Sequence, residues 1–123
     1  MNLSHLTLRR LTQDLEALKG ARFQDASLAQ PNELVLDVGL ARDGRTTRIL
    51  VSGSRSQARI CITKAPFPAR PDRPPWLERY ILKAVIRGIR LQPDDRILVF
   101  DLDKQDRVGS RYPSRLIVEI MAR

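Results

Sequence analysis

The sequence predicts an α+β domain in which two helices accompany at least five short strands. The chain has 123 residues, which is enough for one domain with a modest core and too few for two. Apolar residues make up 42% of the chain, an ordinary share for a globular fold. These apolar residues recur first at helical spacing and then, from Phe23 onward, mostly at every second position.

The amino-terminal segment predicts a helix over residues 5–19. Its leucines repeat at intervals of three and four residues, which places Leu8, Leu11, Leu15 and Leu18 on one side of a helix. Ser4 is positioned to cap the helix start, with Leu3 and Leu8 positioned as a hydrophobic staple. Gly20 is the residue type that most often ends a helix in the left-handed conformation.

Five later segments predict strands, because apolar and polar side chains alternate along them. They are ELVLDV (33–38), TRILVS (47–52), ARICIT (58–63), RILVFDL (96–102) and SRLIVEIM (114–121). Residues that favour turns separate the segments, as in Asp43-Gly44, Gly53-Ser54 and Gly109-Ser110.

A proline-rich link follows the third of these strands. KAPFPARPDRPPW (64–76) contains five prolines and predicts an extended surface segment. It could serve as a PxxP recognition motif, but a rigid connector is favoured because Pro74-Pro75 stands where a helix can begin. The predicted second helix presents one apolar face and ends at Gly88; the face consists of Trp76, Leu77, Tyr80, Ile81, Ala84 and Val85.

The charge of the chain favours a polyanionic partner. Its net charge is +8, and 18 of its 22 basic residues are arginine. The guanidinium group pairs bidentately with phosphate and stacks on bases, so this bias favours RNA or DNA over membrane lipid. A GC-rich genome also raises the arginine content, so composition alone leaves both explanations open.

The basic residues concentrate in two adjoining segments. Residues 42–73 contain eight basic and two acidic residues, which gives them a net charge of +6. The second helix would add a basic stripe opposite its apolar face. A solvated arginine-rich surface is the alternative, and one helix alone would favour it; two adjoining segments favour nucleic acid. The predicted binding surface comprises Arg55, Arg59, Lys64, Arg70, Arg73, Arg79, Lys83 and Arg87.

Residues suited to catalysis or metal binding are few. His5 is the only histidine, and Cys61 is the only cysteine and alternates with isoleucines, which is typical of a core or sheet-face residue. The sequence contains no glycine-rich phosphate loop. Asp37, Asp101 and Glu119 are scattered over predicted strands and indicate no acid–base pair. We therefore predict no enzymatic activity, no metal, no cofactor and no small-molecule substrate.

A cytoplasmic location is expected. A lone cysteine excludes an internal disulfide and suits a reducing compartment. The opening MNLSHLTLRR lacks the apolar core of a signal peptide, and no run approaches the roughly twenty apolar residues of a membrane span.

The order of several motifs is informative along the whole chain. LVSGSRSQARICIT (50–63) is followed by the proline-rich link, RPPW (73–76), DRILVF (95–100) and RLIVEIMAR (115–123), and QPNELVLDV (30–38) precedes them. This arrangement resembles the NFACT N-terminal domain of the RqcH/NEMF family, also known as fibronectin-binding protein A-like. The part from DRILVFDL to VEIMAR is the most specific.

The resemblance implies a fold and a function. The fold is a β-sandwich flanked by helices, similar to the N-terminal domain of Fpg-type DNA glycosylases. Family members bind a large ribosomal subunit obstructed by peptidyl-tRNA, recruit charged tRNA and promote untemplated extension of the stalled peptide. The partners implied are therefore tRNA and the large ribosomal subunit.

The resemblance also implies a site. The Asp-Arg pair of the family, implicated in tRNA handling, falls on Asp95 and Arg96. A carboxylate can accept hydrogen bonds from a 2′-hydroxyl or a base amine while the adjacent guanidinium holds phosphate. Without the family, Pro93-Asp94-Asp95 would predict a turn more readily than a site.

Other functions stay open at this point. The domain could be a fibronectin-binding adhesin, or a non-catalytic scaffold whose partners bind elsewhere. Glycosylase chemistry is not expected, since it uses an amino-terminal Pro-Glu that Met1-Asn2 does not supply. Family members continue beyond VEIMAR, so residues 1–123 are expected to be one amino-terminal domain of a longer protein or an unusually short relative.

Overall fold

The computed structural model describes residues 5–30, 32–39, 44–53, 59–92 and 97–119, with the side chains of residues 5–9, 11, 30 and 59 left aside. One α-helix, α1, covers His5–Glu16, and a single π-helical turn covers Leu77–Ile81. The strands are β1 (Arg22–Gln30), β2 (Glu33–Gly39), β3 (Thr46–Ser52), β4 (Arg59–Ile62), β5 (Val85–Gln92), β6 (Ile97–Gln105) and β7 (Arg111–Glu119).

These described strands form one antiparallel sheet in the order β4-β3-β2-β1-β5-β6-β7. The two halves of the sheet meet at the pair Arg22 and Val85, between β1 and β5. Beyond this pair the halves diverge, because β1 continues along β2 while β5 continues along β6. The proline-rich link then reaches the edge that β1 leaves open, where Leu28 pairs with Asp72.

The core lies on one face of the sheet and draws on both halves. Alternation along each strand directs Leu34, Leu36 and Val38 of β2 into the core and places Asp37 on the opposite face. Leu98, Phe100 and Leu102 of β6 occupy the same core, and the ring of Phe100 lies 6.2 Å from that of Phe23 on β1. Leu15 of α1 and Leu18 of the turn that follows it cover the core, and Leu77 and Ile81 cover it from the π-helical turn.

The first helix and all five predicted strands are confirmed, with altered ends. The helix ends at Glu16, three residues earlier than predicted, and residues 17–20 form turns. Gly20 has the predicted left-handed φ, +90°, but it lies four residues beyond the helix end, and its N–H donates to the carbonyl of Ile86 rather than capping the helix. The predicted cap at Ser4 and the staple of Leu3 and Leu8 fall outside the described side chains.

The prediction of a long second helix is wrong. The helical turn ends at Ile81, Lys83 adopts a left-handed φ of 72°, and the chain continues as strand β5. Ile81 and Ala84 are three residues apart, as on a helix face, whereas Ala84 and Ile86 are two apart, as in a strand, so periodicity alone did not distinguish the two. The β-branched residues Val85, Ile86 and Ile89 favour the strand.

The fold class is therefore β-rich rather than evenly divided between helices and strands. The described strands make one continuous sheet, whereas the resemblance implied a β-sandwich flanked by helices. The difference arises at the pair Arg22 and Val85, which joins the diverging halves. The similarity to Fpg-type glycosylases stays a prediction. None of the described helices has the length and apolar character needed to cross a membrane.

Candidate nucleic-acid interface

Strand alternation builds a charged row on the face of β5, β6 and β7 that points away from the core. Because Leu98, Phe100 and Leu102 face inward, Asp101 and Asp103 face outward. Arginines of the neighbouring strands flank both carboxylates. We call this cluster the arginine groove; it consists of Arg87, Arg90, Asp101, Asp103, Arg111 and Arg115. It borders an open depression of about 700 Å³ whose lining also includes Pro113 and Ser114.

Asp101 holds two of the four arginines. Arg90 forms a fork on it, with Nε 2.9 Å from Oδ2 and Nη2 3.2 Å from Oδ1. Arg115, its register partner on β7, places Nε 3.2 Å from Oδ1. The hydrogen bond from Arg90, reinforced by the charges of both arginines, holds the pKa of Asp101 below its usual value. Asp101 is therefore ionised at neutral pH and fixes both guanidinium groups in place.

Asp103 holds the other two. Arg87 Nη2 lies 3.1 Å from Asp103 Oδ2, and Arg111 Nη1 lies 3.7 Å from the same oxygen. The second oxygen, Oδ1, is buried and receives no hydrogen bond from any described residue. Both arginines thus converge on a single oxygen of a carboxylate that is only 17% exposed.

The groove can bind phosphate. Its arginine side chains are 51–67% exposed, and each guanidinium has five N–H donors, of which the aspartates occupy few. Four arginines and two aspartates leave a net charge of +2. Arg111 and Arg115 are four residues apart on β7, about 13 Å, which is roughly the length of four stacked nucleotides.

A second depression extends the basic surface. It measures about 220 Å³ and shares Arg87, Asp103 and Arg111 with the arginine groove. Arg22 and Lys83 add two further positive charges to its lining, together with Val85, Gln105 and Asp106. The positive region therefore continues from β7 across β5 to the start of β1.

The structure separates the residues of the predicted helical stripe. Arg87 belongs to the arginine groove, and Lys83 lines the adjoining depression. Arg79 instead lies on the π-helical turn, with its guanidinium carbon 5.8 Å from the centre of the Tyr80 ring. The prediction of one stripe along one helix is wrong, because the three residues belong to a helical turn, a loop and a strand.

Of the other basic residues predicted for the binding surface, the structure describes the side chains of three. Arg73 binds its own chain: Nη2 lies 2.6 Å from Asp25 Oδ1, and Nε donates to the carbonyl of Ala26. Lys64 and Arg70 are exposed on the proline-rich link. Arg59 belongs to β4, but its side chain lies outside the described part of the chain, as does the whole of Arg55.

Asp95 and Arg96, the pair that the resemblance implies, also lie outside the described residues. The structure describes the residues on either side of them. Gln92 ends β5, Ile97 begins β6, and these two residues pair with each other. The two predicted site residues thus belong to the connection of a hairpin whose strands carry the arginine groove.

Sequence reasoning missed the groove as a unit. Asp101 is interpreted there only as a scattered carboxylate, and Asp103, Arg111 and Arg115 are not selected. One signal for the groove was available in the sequence, because residues an even number of positions apart lie on the same face of a strand. Asp101 and Asp103 meet this condition on one strand, and Arg111 and Arg115 meet it on the next. Neither the register that brings β5 and β7 against β6 nor the strand character of β5 was evident.

The described residues contain no group of three or more histidine, cysteine or acidic side chains placed to hold a metal ion. Cys61 is partly buried on β4. The chemistry that the arginine groove offers is therefore the binding of anions by fixed guanidinium groups.

Comparison with known sequences gives consistent matches. The family described as NFACT N-terminal and middle domains matches residues 4–123. The chain is 31% identical over 127 residues to the Rqc2 homolog RqcH of Streptococcus suis (strain 05ZYH33) and 28% identical to that of Streptococcus pneumoniae serotype 2 (strain D39 / NCTC 7466). These matches cover 100% of the chain but 23% of each relative, so the chain spans less than a quarter of their length.

Solved structures match the fold. The N-terminal domain of the fibronectin-binding protein PavA from Streptococcus pneumoniae has a TM-score of 0.85 and 28% identity, over 96% of this chain and 45% of that one. The N-terminal part of the fibronectin/fibrinogen-binding protein from Streptococcus suis has a TM-score of 0.83 and 31% identity, with the same coverage. The fibrinogen binding protein from Staphylococcus aureus, at 20% identity and a TM-score of 0.79 over 96% of this chain and 42% of that one, supports the fold alone.

Proposed function

The chain belongs to the family of NFACT N-terminal and middle domains, as its motifs predicted, and from this premise we propose that it is the RNA-binding module of a ribosome-associated quality control factor. Relatives named Rqc2 homolog RqcH support the quality-control setting. In this proposal the whole protein acts in the cytoplasm, where it engages tRNA and the obstructed large ribosomal subunit. It promotes untemplated carboxy-terminal tailing of stalled peptides, and this domain binds rather than catalyses.

The arginine groove is the observation that carries the proposal. Two aspartates form ion pairs with four arginines on the neighbouring strands of one sheet, so the guanidinium groups face solvent in defined positions before a ligand arrives. Fixed donors lose little conformational entropy on binding, which favours contact with a phosphate backbone. Contacts to phosphate carry no base information, as expected for a factor that handles more than one RNA.

Asp95 and Arg96 form the second part of the proposal. They follow β5 and directly precede β6, the strand that carries Asp101 and Asp103. In this role the carboxylate accepts from a 2′-hydroxyl or a base amine of tRNA, and the guanidinium holds a phosphate. Asp95→Ala and Arg96→Ala in the full-length protein should reduce tailing of a stalled peptide. A domain that is only a scaffold would tolerate both substitutions.

Binding of the chain to deacylated tRNA as a function of salt tests the groove. Neutralising a phosphate releases counterions, so the logarithm of the binding constant should fall with the logarithm of salt concentration by about 0.7–0.9 per contact. Four contacting arginines predict a slope of about −3. Arg111→Gln combined with Arg115→Gln should weaken binding and make the slope less negative by about 1.5, while Arg87 and Arg90 still neutralise the aspartates.

The matched control removes the same charge from the other predicted basic segment. Lys64→Gln combined with Arg70→Gln also lowers the net charge by two, and both residues are exposed. This pair should leave the salt slope near that of the parent chain. A flat slope for the parent chain, or a larger loss from the Lys64 and Arg70 pair than from the groove pair, would contradict the assignment of the groove.

The names of two structural relatives support a second candidate, a fibronectin-binding domain. The matched proteins of Streptococcus pneumoniae and Streptococcus suis are described as binding fibronectin, or fibronectin and fibrinogen. The two functions separate experimentally if immobilised fibronectin and tRNA are tested side by side. Saturable binding to fibronectin that is unchanged in the Arg111 and Arg115 variant, without salt-dependent binding to tRNA, would favour the adhesin.

A further inference from the structure

The second depression, beside the arginine groove, collects four cations where the two halves of the sheet meet. We call it the junction pocket; its volume is about 220 Å³, and its lining includes Arg22, Lys83, Val85, Arg87, Asp103 and Arg111. Arg22 pairs with Val85, and Val85 pairs with Asp103, so these three residues form one row across β1, β5 and β6. Because Phe23 and Ile86 face the core, the row lies on the outer face of the sheet, as the arginine groove does.

Two of these cations are not neutralised by a carboxylate. No acidic side chain among the described residues forms an ion pair with Arg22 or Lys83. The other two cations share a single oxygen of Asp103. Asp106, the remaining carboxylate of the lining, accepts hydrogen bonds from a tyrosine hydroxyl and from two backbone N–H groups. Four cations and two carboxylates give the pocket a net charge of +2.

The backbone of Lys83 has a conformation that favours glycine. Its φ of 72° is left-handed, which is uncommon for a residue with a side chain. The N–H of Lys83 donates to the carbonyl of Phe23, and the N–H of Phe23 donates to the carbonyl of Ala84, so the junction between the halves holds this conformation. Glycine would fit the backbone better but would remove an ammonium group from the pocket. A left-handed lysine in the lining of a basic pocket therefore indicates a function for its side chain.

Uncharged side chains border the pocket on the far side of Arg22. Gly39 is the register partner of Arg22, and the side chain of Gln24 lies over it. The hydroxyl of Thr46 donates to Gln24 Oε1 at 3.3 Å and holds the amide there. A strand whose phosphates follow the arginine groove thus reaches the junction pocket with arginines behind it and neutral side chains ahead of it.

The junction pocket suits a phosphate at the end of a strand better than one within it. A terminal phosphomonoester has nearly two negative charges at neutral pH and three oxygens that accept hydrogen bonds. A phosphate within a strand has one charge and also needs space for the chain on both sides. The pocket shares Arg87, Asp103 and Arg111 with the depression of the groove, so the rest of a strand can continue in that direction.

We propose that the junction pocket binds the terminal phosphate of an RNA strand whose internal phosphates lie in the arginine groove. The proposal rests on the proposed function and adds to it the recognition of a strand end. Recognition of this kind depends on the charge and the oxygens of the terminal group, so it is independent of base sequence.

Two oligonucleotides of nearly equal charge separate recognition of the end from general attraction. A uridine decamer with one terminal phosphate and a uridine dodecamer with hydroxyl groups at both ends have about the same total charge, because the terminal phosphate adds nearly two charges. The parent chain should bind the phosphorylated decamer roughly 10- to 100-fold more tightly, as expected for additional hydrogen bonds between charged groups. Decamers phosphorylated at the 5′ or the 3′ end are both measured, and the preferred end gives the direction of the strand in the groove.

Variants of the two cations without a carboxylate partner assign this preference to the pocket. Arg22→Gln combined with Lys83→Gly should bring the ratio of the two affinities close to one. Lys83→Gly alone should reduce the ratio without lowering the urea concentration at half unfolding, because glycine adopts a left-handed φ freely. Lys64→Gln combined with Arg70→Gln is the matched control; it also removes two exposed charges and should leave the ratio unchanged.

Each further outcome bears on a different part of the proposal. Equal affinity of the parent chain for the two oligonucleotides, or a ratio that survives in the Arg22 and Lys83 variant, would overturn the end site and leave groove binding intact. Binding of inorganic phosphate as tight as that of the phosphorylated decamer would assign the pocket to a free anion and overturn it as well. Failure of the parent chain to bind any RNA would refute the proposed function itself. Lys83→Asn, which also tolerates the left-handed region, provides a second variant if Lys83→Gly does not fold.

Discussion

At the scale of single residues, arginine has two different roles on the outer face of the sheet. Arg48 is committed to its own chain: it forks onto Asp37 at 2.7 and 3.1 Å, donates to the carbonyl of Ala65 and lies over the ring of Phe67. Its side chain is 26% exposed. The arginines of the groove make fewer contacts and are 51–67% exposed. Residual exposure and unused donors therefore distinguish an arginine that can bind a ligand from one that holds the fold.

A single hydrogen bond also makes the stability of the domain depend on pH. The hydroxyl of Tyr112 donates to Asp106 Oδ2 at 2.8 Å. Ionised Tyr112 would lose this bond and would face the carboxylate, which is why its pKa in the folded chain is raised above 10.0. The resulting stability is fully present below the unfolded pKa and is lost as the pH rises through the folded pKa. Ultraviolet absorbance of the phenolate should show one tyrosine titrating late, and Asp106→Asn should bring that titration to lower pH.

Because the chain contains two tyrosines, the variant Tyr112→Phe is needed to show which of them gives the late titration step. The late step should disappear in this variant. If the late step persisted in Tyr112→Phe, or did not move in Asp106→Asn, the hydrogen bond would not be its cause.

At the scale of elements, the open edge of β1 explains why the proline-rich link runs beside this strand. Ser27 is fully buried; its hydroxyl donates to the carbonyl of Leu28 and accepts from the N–H of Asp72, both at 2.8 Å. The N–H of Leu28 donates to the carbonyl of Asp72. The link thus satisfies backbone groups that β1 exposes where it diverges from β5, which an open sheet edge would otherwise leave unpaired.

Ser27→Ala should therefore destabilise the domain although it removes a single oxygen atom. The substitution removes the hydrogen bond from the N–H of Asp72 to the Ser27 hydroxyl, and a hydrogen bond of this kind contributes about 0.5–1.5 kcal/mol. Urea unfolding of the two proteins measures the difference. Ser110→Ala, at an exposed position of the β6–β7 hairpin, is the matched control and should change stability by less than about 0.5 kcal/mol. Equal effects of the two substitutions would show that the hydroxyl of Ser27 does not hold the link.

Local signals in the sequence predicted α1 and five strands because each has one clear period. Strand β1 was not predicted as a strand, although alternation was noted from Phe23. Its register shifts between Phe23 and Asp25 and again between Leu28 and Gln30, which interrupts the alternation. Strand β5 also has a register shift, between Ile86 and Gly88, and its buried residues Ile86 and Ile89 are three apart, as in a helix. Irregular pairing, which depends on partner strands, hid both elements.

The candidate site was predictable only in part for the same reason. Composition indicated a polyanionic partner, and Arg87 and Lys83 were selected, but as parts of a helix. The groove depends on the register that sets Asp101 opposite Arg115 and Asp103 opposite Val85 and Pro113. Such pairings link residues distant in sequence, so alternation can assign a residue to a face but cannot select its neighbours across the sheet.

At the scale of the whole molecule, the two halves of the sheet depend on each other through a shared core. Their backbone hydrogen bonding is confined to a short junction around the pair Arg22 and Val85, where four bonds join residues 20–23 to residues 83–86. The core, however, joins Leu36 and Ile49 of one half with Ile86 and Phe100 of the other. Cooperative unfolding of both halves is therefore expected from this shared packing together with the hydrogen-bonded junction.

Phe100→Ala tests this dependence. Phe100 is fully buried beneath the arginine groove, and its ring approaches Phe23 of the other half. The substitution should cost about 3–5 kcal/mol, and Phe100→Leu should cost less because it leaves a smaller cavity. Hydrogen exchange should show the amides of β2 and β3 losing protection by as much as those of β6, since both open through global unfolding. A loss confined to β5, β6 and β7 would mean that the half carrying the arginine groove unfolds by itself, and RNA binding would then stabilise that half alone.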